Sequence, residues 1–170
     1  MEQKRLGAYH LDSGDPETFV VGQLLRKDLA WLLMRDVTPD GCWNGLALYQ
    51  ASDLVAEETN TAYCRKLERL LAIRGEAAPE APAMTGSPLT DLLSFAKAHR
   101  RVVGLELFQS GTHDVEGIAD LCTDRFVRIR QLTELGEPDG VTYVALSAVT
   151  RAFCGSRELR ALELLAEPSG

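Results

Sequence analysis

Apolar residues in the second half of the chain fall into short runs, each the length of a β-strand and each broken by turn-forming residues. Five such runs, at 102–108, 115–122, 126–132, 141–146 and 149–153, are separated by Ser110-Gly111, Thr123-Asp124-Arg125, Gly136-Glu137-Pro138-Asp139-Gly140 and Ser147-Ala148. Ahead of them, residues 90–99 set Leu92, Leu93, Phe95 and Ala96 on a helical period behind Pro88, which predicts a short amphipathic helix. The first half repeats the strand order at 6–11, 19–25, 30–37, 46–49 and 54–57. A further helix is predicted after each set, at 61–74 and 156–166, with Thr61 and Ser156 placed to cap it. Leu67, Leu70 and Leu71 mark the buried face of one; Leu159, Leu162 and Leu165 mark that of the other.

The halves are related in sequence as well as in order. Sliding the chain along itself by 95 positions aligns 19–70 with 114–165 without a gap and gives eleven identities, among them Gly22/Gly117, Thr38/Thr133, Gly41/Gly136, Gly45/Gly140, Glu68/Glu163 and Leu67/Leu162. Chance would supply roughly three or four. Substitutions such as Trp31/Phe126, Leu32/Val127 and Met34/Ile129 keep apolar with apolar. Internal duplication is the expectation. Between the copies, a stretch rich in Pro, Ala and Gly has too few large apolar residues to bury a core and reads as a linker. The predicted organisation is therefore 1–74 as the first copy, 75–87 as the linker and 88–170 as the second copy.

Five strands this short, joined by hairpin-length connections, bury a core best by curling into a small barrel. The predicted fold class is mainly β, with two tandem five-stranded barrels and short flanking helices. In detail, Val103-Gly104-Leu105-Glu106-Leu107 and Val115-Glu116-Gly117-Ile118-Ala119 resemble the first two strands of the Sm-like branch of the SH3-type barrels, with Gly117 and Gly22 at the bend of the second strand. The resemblance implies ring-like assembly through strand edges. It also directs attention to two RNA-binding loops of that family, an Asp/Asn pair after the second strand and an Arg-Gly corner before the fifth. The chain departs from both: it has Arg26-Lys27-Asp28-Leu29 and Thr123-Asp124-Arg125 at the first, and Ala51-Ser52-Asp53 and Ser147-Ala148 at the second.

Charge points the same way, because a net charge of −7 is opposite to that of a non-specific polyanion binder. No apolar run is long enough to span a bilayer and no signal-peptide core follows Met1, so the expected location is cytoplasmic, with no membrane partner. The cysteines Cys42, Cys64, Cys122 and Cys154 match neither a metal nor a disulfide spacing and are expected to be buried or half-buried free thiols.

Candidate chemistry is sparse. Phe126, Arg128 and Arg130 alternate along one strand and so share a face, which makes a stripe suited to stacking and phosphate contact; the alternative is a solvated face with its arginines paired to acids. Trp43, in a turn, is either an exposed contact or a plug over the end of the barrel, whereas Trp31 is expected in the core. His10, His99 and His113 show no ligand spacing repeated between the copies, so no metal site is expected, and no cofactor or catalytic motif is present. These features predict a non-enzymatic module that binds a protein partner or copies of itself. RNA or single-stranded nucleic acid, bound through the Phe126, Arg128 and Arg130 face, is the alternative.

Overall fold

Turn chemistry decides where each strand starts and stops. In a computed structural model, which describes residues 5–12, 14–15 and 17–167, the chain is mainly β and divides into two units, Met1–Ala81 and Pro82–Gly170. The first contains β1 (Gly7–His10), β2 (Val20–Lys27), β3 (Trp31–Val37), β4 (Trp43–Gln50), β5 (Ala56–Thr59) and α1 (Ala62–Arg74). The second contains α2 (Pro88–Ala98), β6 (Val102–Leu107), β7 (Val115–Cys122), β8 (Phe126–Leu132), β9 (Pro138–Ala145), β10 (Val149–Cys154) and α3 (Arg157–Ala166). Residues 1–4 of the predicted first copy lie outside the described residues.

Within each unit the strands form one antiparallel sheet, ordered β5-β1-β2-β3-β4 in the first and β10-β6-β7-β8-β9 in the second. Among the described residues no pairing joins β4 to β5, or β9 to β10, so hydrogen bonds do not close either sheet. A single turn of 3₁₀ helix precedes the last strand of each unit, at Ala51–Asp53 and Leu146–Ala148.

The two units repeat one set of contacts. The bounds of β2, β3, β4 and the 3₁₀ turn recur 95 residues later in β7, β8, β9 and the second turn. Register shifts fall between Leu24 and Arg26 in β2 and between Ala119 and Leu121 in β7. On the first strand the correspondence is 96 residues: Gly7 pairs with Gly22 and Thr59, Val103 with Gly117 and Cys154. Glu68 accepts a hydrogen bond from Leu6 N at 2.9 Å, and Glu163 accepts one from Val102 N at 3.0 Å, so each helix is tied to the start of the first strand by the same carboxylate. Thr61 and Ser156 cap α1 and α3 by accepting from Cys64 N and Leu159 N.

Several boundaries differ from the sequence expectation. β4 and β9 begin at Trp43 and Pro138, ahead of the predicted 46 and 141, because the preceding turn closes tightly. Thr38 Oγ1 accepts from Cys42 N and Thr133 Oγ1 from Glu137 N, while Gly41 and Gly136 adopt φ of 74° and 77°, a conformation open to glycine at little cost. Pairing then resumes at once, Val37 with Trp43 and Leu132 with Pro138. β5 runs later than predicted because the 3₁₀ turn consumes residues up to its cap, Leu54. α2 starts at Pro88, since Ser87 accepts from Thr90 N and proline suits a first helical turn.

The helices cover one face of their own sheets. Leu6, Ala8, Val21, Val37, Cys64 and Leu67 form a cluster under α1, and Val102, Leu159 and Leu162 form its counterpart under α3 with Ile118, Leu132 and Phe153. Leu165, expected on the buried face, is exposed, and Trp31, expected in the core, is half-buried. Cys42, Cys64 and Cys154 are buried and Cys122 half-buried, all as free thiols.

A Cβ on Gly22 would lie 2.6 Å from Arg35 O, and one on Gly117 would lie 2.1 Å from Arg130 O. Both obstacles are backbone atoms of the next strand and cannot swing aside. Gly117→Ala and Gly22→Ala are each expected to destabilise the protein by about 1–3 kcal/mol, read from denaturant unfolding. Wild-type stability in both variants would remove the close approach as a structural requirement.

Candidate functional site

Strand alternation sets the outer face of β8. Val127 and Ile129 are fully buried, which leaves Phe126, Arg128 and Arg130 on the opposite side. Register adds β9 residues to that face: Ala145 opposite Phe126, Tyr143 opposite Arg128 and Val141 opposite Arg130. The rings of Phe126 and Tyr143 meet at 5.7 Å between centroids, tilted by 58°. Tyr143 and Val141 remain 61% and 55% exposed, so the strand presents aromatic and apolar area to the outside.

The arginines of this stripe are occupied. The β7 register shift brackets Asp120, and a bulge of this kind re-aims a side chain. The Asp120 carboxylate accepts from Arg128 Nε at 2.6 Å and lies 3.4 Å from Arg130 Nε. The hydrogen bond from Arg128 holds the Asp120 carboxyl below its usual range, and the same contact pushes the Arg128 guanidinium upward. One acid thus offsets half the positive charge that phosphate binding would use. Trp43 stands apart from this stripe: it is half-buried and packs against the apolar cluster under α1.

The first unit holds an open cleft of about 430 Å³, lined by the loop before β2, the facing ends of β2, β3 and β4, and Tyr63 of α1. Asp36, on its wall, is its most unusual group. Tyr49 donates to Oδ2 at 2.9 Å, but Oδ1 is shut off from solvent and has no hydrogen-bond partner among the described residues. Burial pushes the Asp36 carboxyl from 3.8 up to about 7, against the opposing pull of the Tyr49 hydrogen bond.

The corresponding position in the second unit carries different chemistry. Thr18, Val21 and Tyr63 of the cleft align at the 95-residue offset with His113, Glu116 and Glu158. His113 Nδ1 lies 2.7 Å from Glu116 Oε1, and ligand atoms of all three side chains fall within 4.8 Å of one another. His113 and Glu116 are half-buried and Glu158 is exposed. Sequence reasoning passed over this trio because it required a repeat of any ligand set in the other copy, where the residues are Thr, Val and Tyr. The available signal was the His113-x-x-Glu116 spacing together with an acid just inside the cap of α3.

Asp36 makes stability depend on pH in a defined sense. Its folded-state value, about 7, lies above the unfolded 3.8, so folding takes up a proton between those values and stability falls as pH rises from about 4 to about 7. The penalty is complete above that window and amounts to at most about 4 kcal/mol. Asp36→Asn is expected to flatten this part of the curve, measured by denaturant unfolding from pH 4 to 8; an unchanged slope would show that Asp36 does not carry it. No protein-family model, no curated protein and no solved structure matches the chain.

Proposed function

We propose that this chain is a non-enzymatic assembly module, built by duplication of one Sm-like, SH3-type small barrel, which associates with further copies of itself through strand edges. The carrying observation is β9. Among the described residues it has one strand neighbour, β8; most of its residues are exposed, and Val141 and Tyr143 sit on it with large apolar area in contact with solvent. An exposed edge strand carries backbone N–H and C=O groups that can pair with another chain, and an apolar flank beside it favours that pairing over solvation.

The matching surface on the next copy is β5. It too has one strand neighbour among the described residues, β1, and all four of its residues are exposed. Pairing β5 with β5 would bring Glu57 and Glu58 of two copies together, and like charges set opposite one another are unfavourable. Residues 140–145 of β9 contain no acid, so β9 to β5 is the compatible join. Because two different surfaces meet, repetition of this join closes a ring where the rotation allows.

The strand order in both units, the glycine pressed against the third strand and the 3₁₀ corner before the fifth strand support the Sm-like reading. The recurrence of the same caps, turns and tethering glutamates 95 or 96 residues apart supports duplication. Cytoplasmic location accords with the free thiols. Nucleic-acid binding is the weaker reading, because Asp120 already engages both arginines of the basic stripe.

Light-scattering mass of the full chain tests the assembly. The wild type is expected to run as an oligomer, Tyr143→Glu to dissociate it by setting a third acid against Glu57 and Glu58, and Tyr143→Lys to preserve it. Added short RNA is expected to leave the mass unchanged. A monomer at every accessible concentration, or equal behaviour of the Glu and Lys variants, would contradict β9-to-β5 pairing.

A further inference from the structure

Four elements of the second unit converge on the His113 imidazole. Glu116 reaches it from β7 at 2.7 Å, and Glu158 approaches from the first turn of α3, a turn fixed in place by Ser156 accepting from Leu159 N at 3.2 Å. The ring itself is held. On one side it lies against Gly104, where a Cβ would come within 2.6 Å of Nδ1; it also stacks on Phe153, with centroids 5.0 Å apart and planes 32° from parallel. Glycine at 104 therefore makes room for this imidazole, and the residue's place beside the two carboxylates is built into the sheet.

Charge in the cluster is unbalanced. Two glutamates share one imidazole, and among the described residues no lysine or arginine forms an ion pair with either carboxylate. Bringing two carboxylates together costs free energy that an intervening cation removes. The geometry points to a site for one divalent transition-metal cation of the zinc class, held by an imidazole nitrogen of His113 and by the carboxylates of Glu116 and Glu158.

The donor set decides the class of ion. Calcium and magnesium take oxygen ligands, calcium six to eight of them, whereas one nitrogen with two carboxylate oxygens suits zinc and its neighbours, with water completing the shell. Ligand atoms around a four-coordinate zinc sit roughly 3.4 Å apart, a spacing that follows from bonds near 2.1 Å. Fitting the ion therefore requires His113 and Glu116 to separate slightly from 2.7 Å, and Glu158 to swing inward; its exposed side chain is free to make that movement. Thr18, Val21 and Tyr63 at the corresponding positions of the first unit offer no such set, so the stoichiometry is one ion per chain. The proposal is independent of the assembly reading.

Calorimetric titration of the chelator-treated full chain with zinc chloride tests it. One equivalent is expected to bind saturably, with affinity lowered at least about tenfold in Glu158→Gln and in His113→Ala. An imidazole 15N resonance of His113 should shift on saturation. Glu158→Gln alters only an exposed side chain, so it remains informative if His113→Ala folds poorly. Cys122→Ser removes the half-buried thiol that could compete for zinc and is expected to leave binding unchanged. Absence of saturable binding, undiminished affinity in Glu158→Gln, or loss of binding in Cys122→Ser would each overturn the site.

Discussion

In both units the second strand lies so close to the third that one residue on it can have no side chain. The carbonyl of Arg35 occupies the space a Cβ on Gly22 would need, and the carbonyl of Arg130 does the same at Gly117. The register shift two residues further on, at Leu24/Arg26 and Ala119/Leu121, falls next to this pinch. Bulges increase local twist and bend the bulged strand, which lets a five-stranded sheet curl over one helix. The Thr38 and Thr133 turns then return the chain, and Glu68 and Glu163 tie the helix to the first strand. Removing any one of these contacts would loosen an element, but the close approach sets the geometry in which the others can form.

On this shared frame the two units carry different chemistry. The bulge in β2 contains Leu25, while the bulge in β7 contains Asp120, whose carboxylate meets Arg128 and Arg130. Position 36 is an aspartate with one unsatisfied oxygen among the described residues; at its counterpart Gln131 the side-chain oxygen accepts from Thr142 at 2.6 Å. Thr18, Val21 and Tyr63 line an open cleft where His113, Glu116 and Glu158 converge in the other unit. Turns, caps and tethers are repeated, whereas the exposed rim beside the helix is not.

Much of this frame was legible in the sequence because it rests on local signals. Strand lengths, capping residues and the glycine pairs follow from short-range chemistry, and the 95-residue repeat reinforces each of them. Strand starts at Trp43 and Pro138 were misread because a proline and two glycines within a few residues look like a long turn, and only hydrogen bonds to Thr38 and Thr133 reveal how soon pairing resumes. The candidate sites were less legible. Arg128 and Arg130 are engaged by a residue whose aim depends on a bulge, Asp36 is unusual only because of what fails to reach it, and Glu158 joins His113 across 45 residues of chain. Each depends on long-range placement that periodicity does not encode.

Pairing of strand edges between copies of the chain would show in backbone protection. Hydrogen–deuterium exchange of the full chain, compared at low and high protein concentration, reports whether the edge amides of β9 and β5 acquire partners on association. The account predicts that peptides covering Pro138–Ala145 and Ala56–Thr59 gain protection together as concentration rises, with β8 and β1 little changed. Protection that does not change with concentration, or that rises elsewhere while both edges still exchange freely, would contradict it.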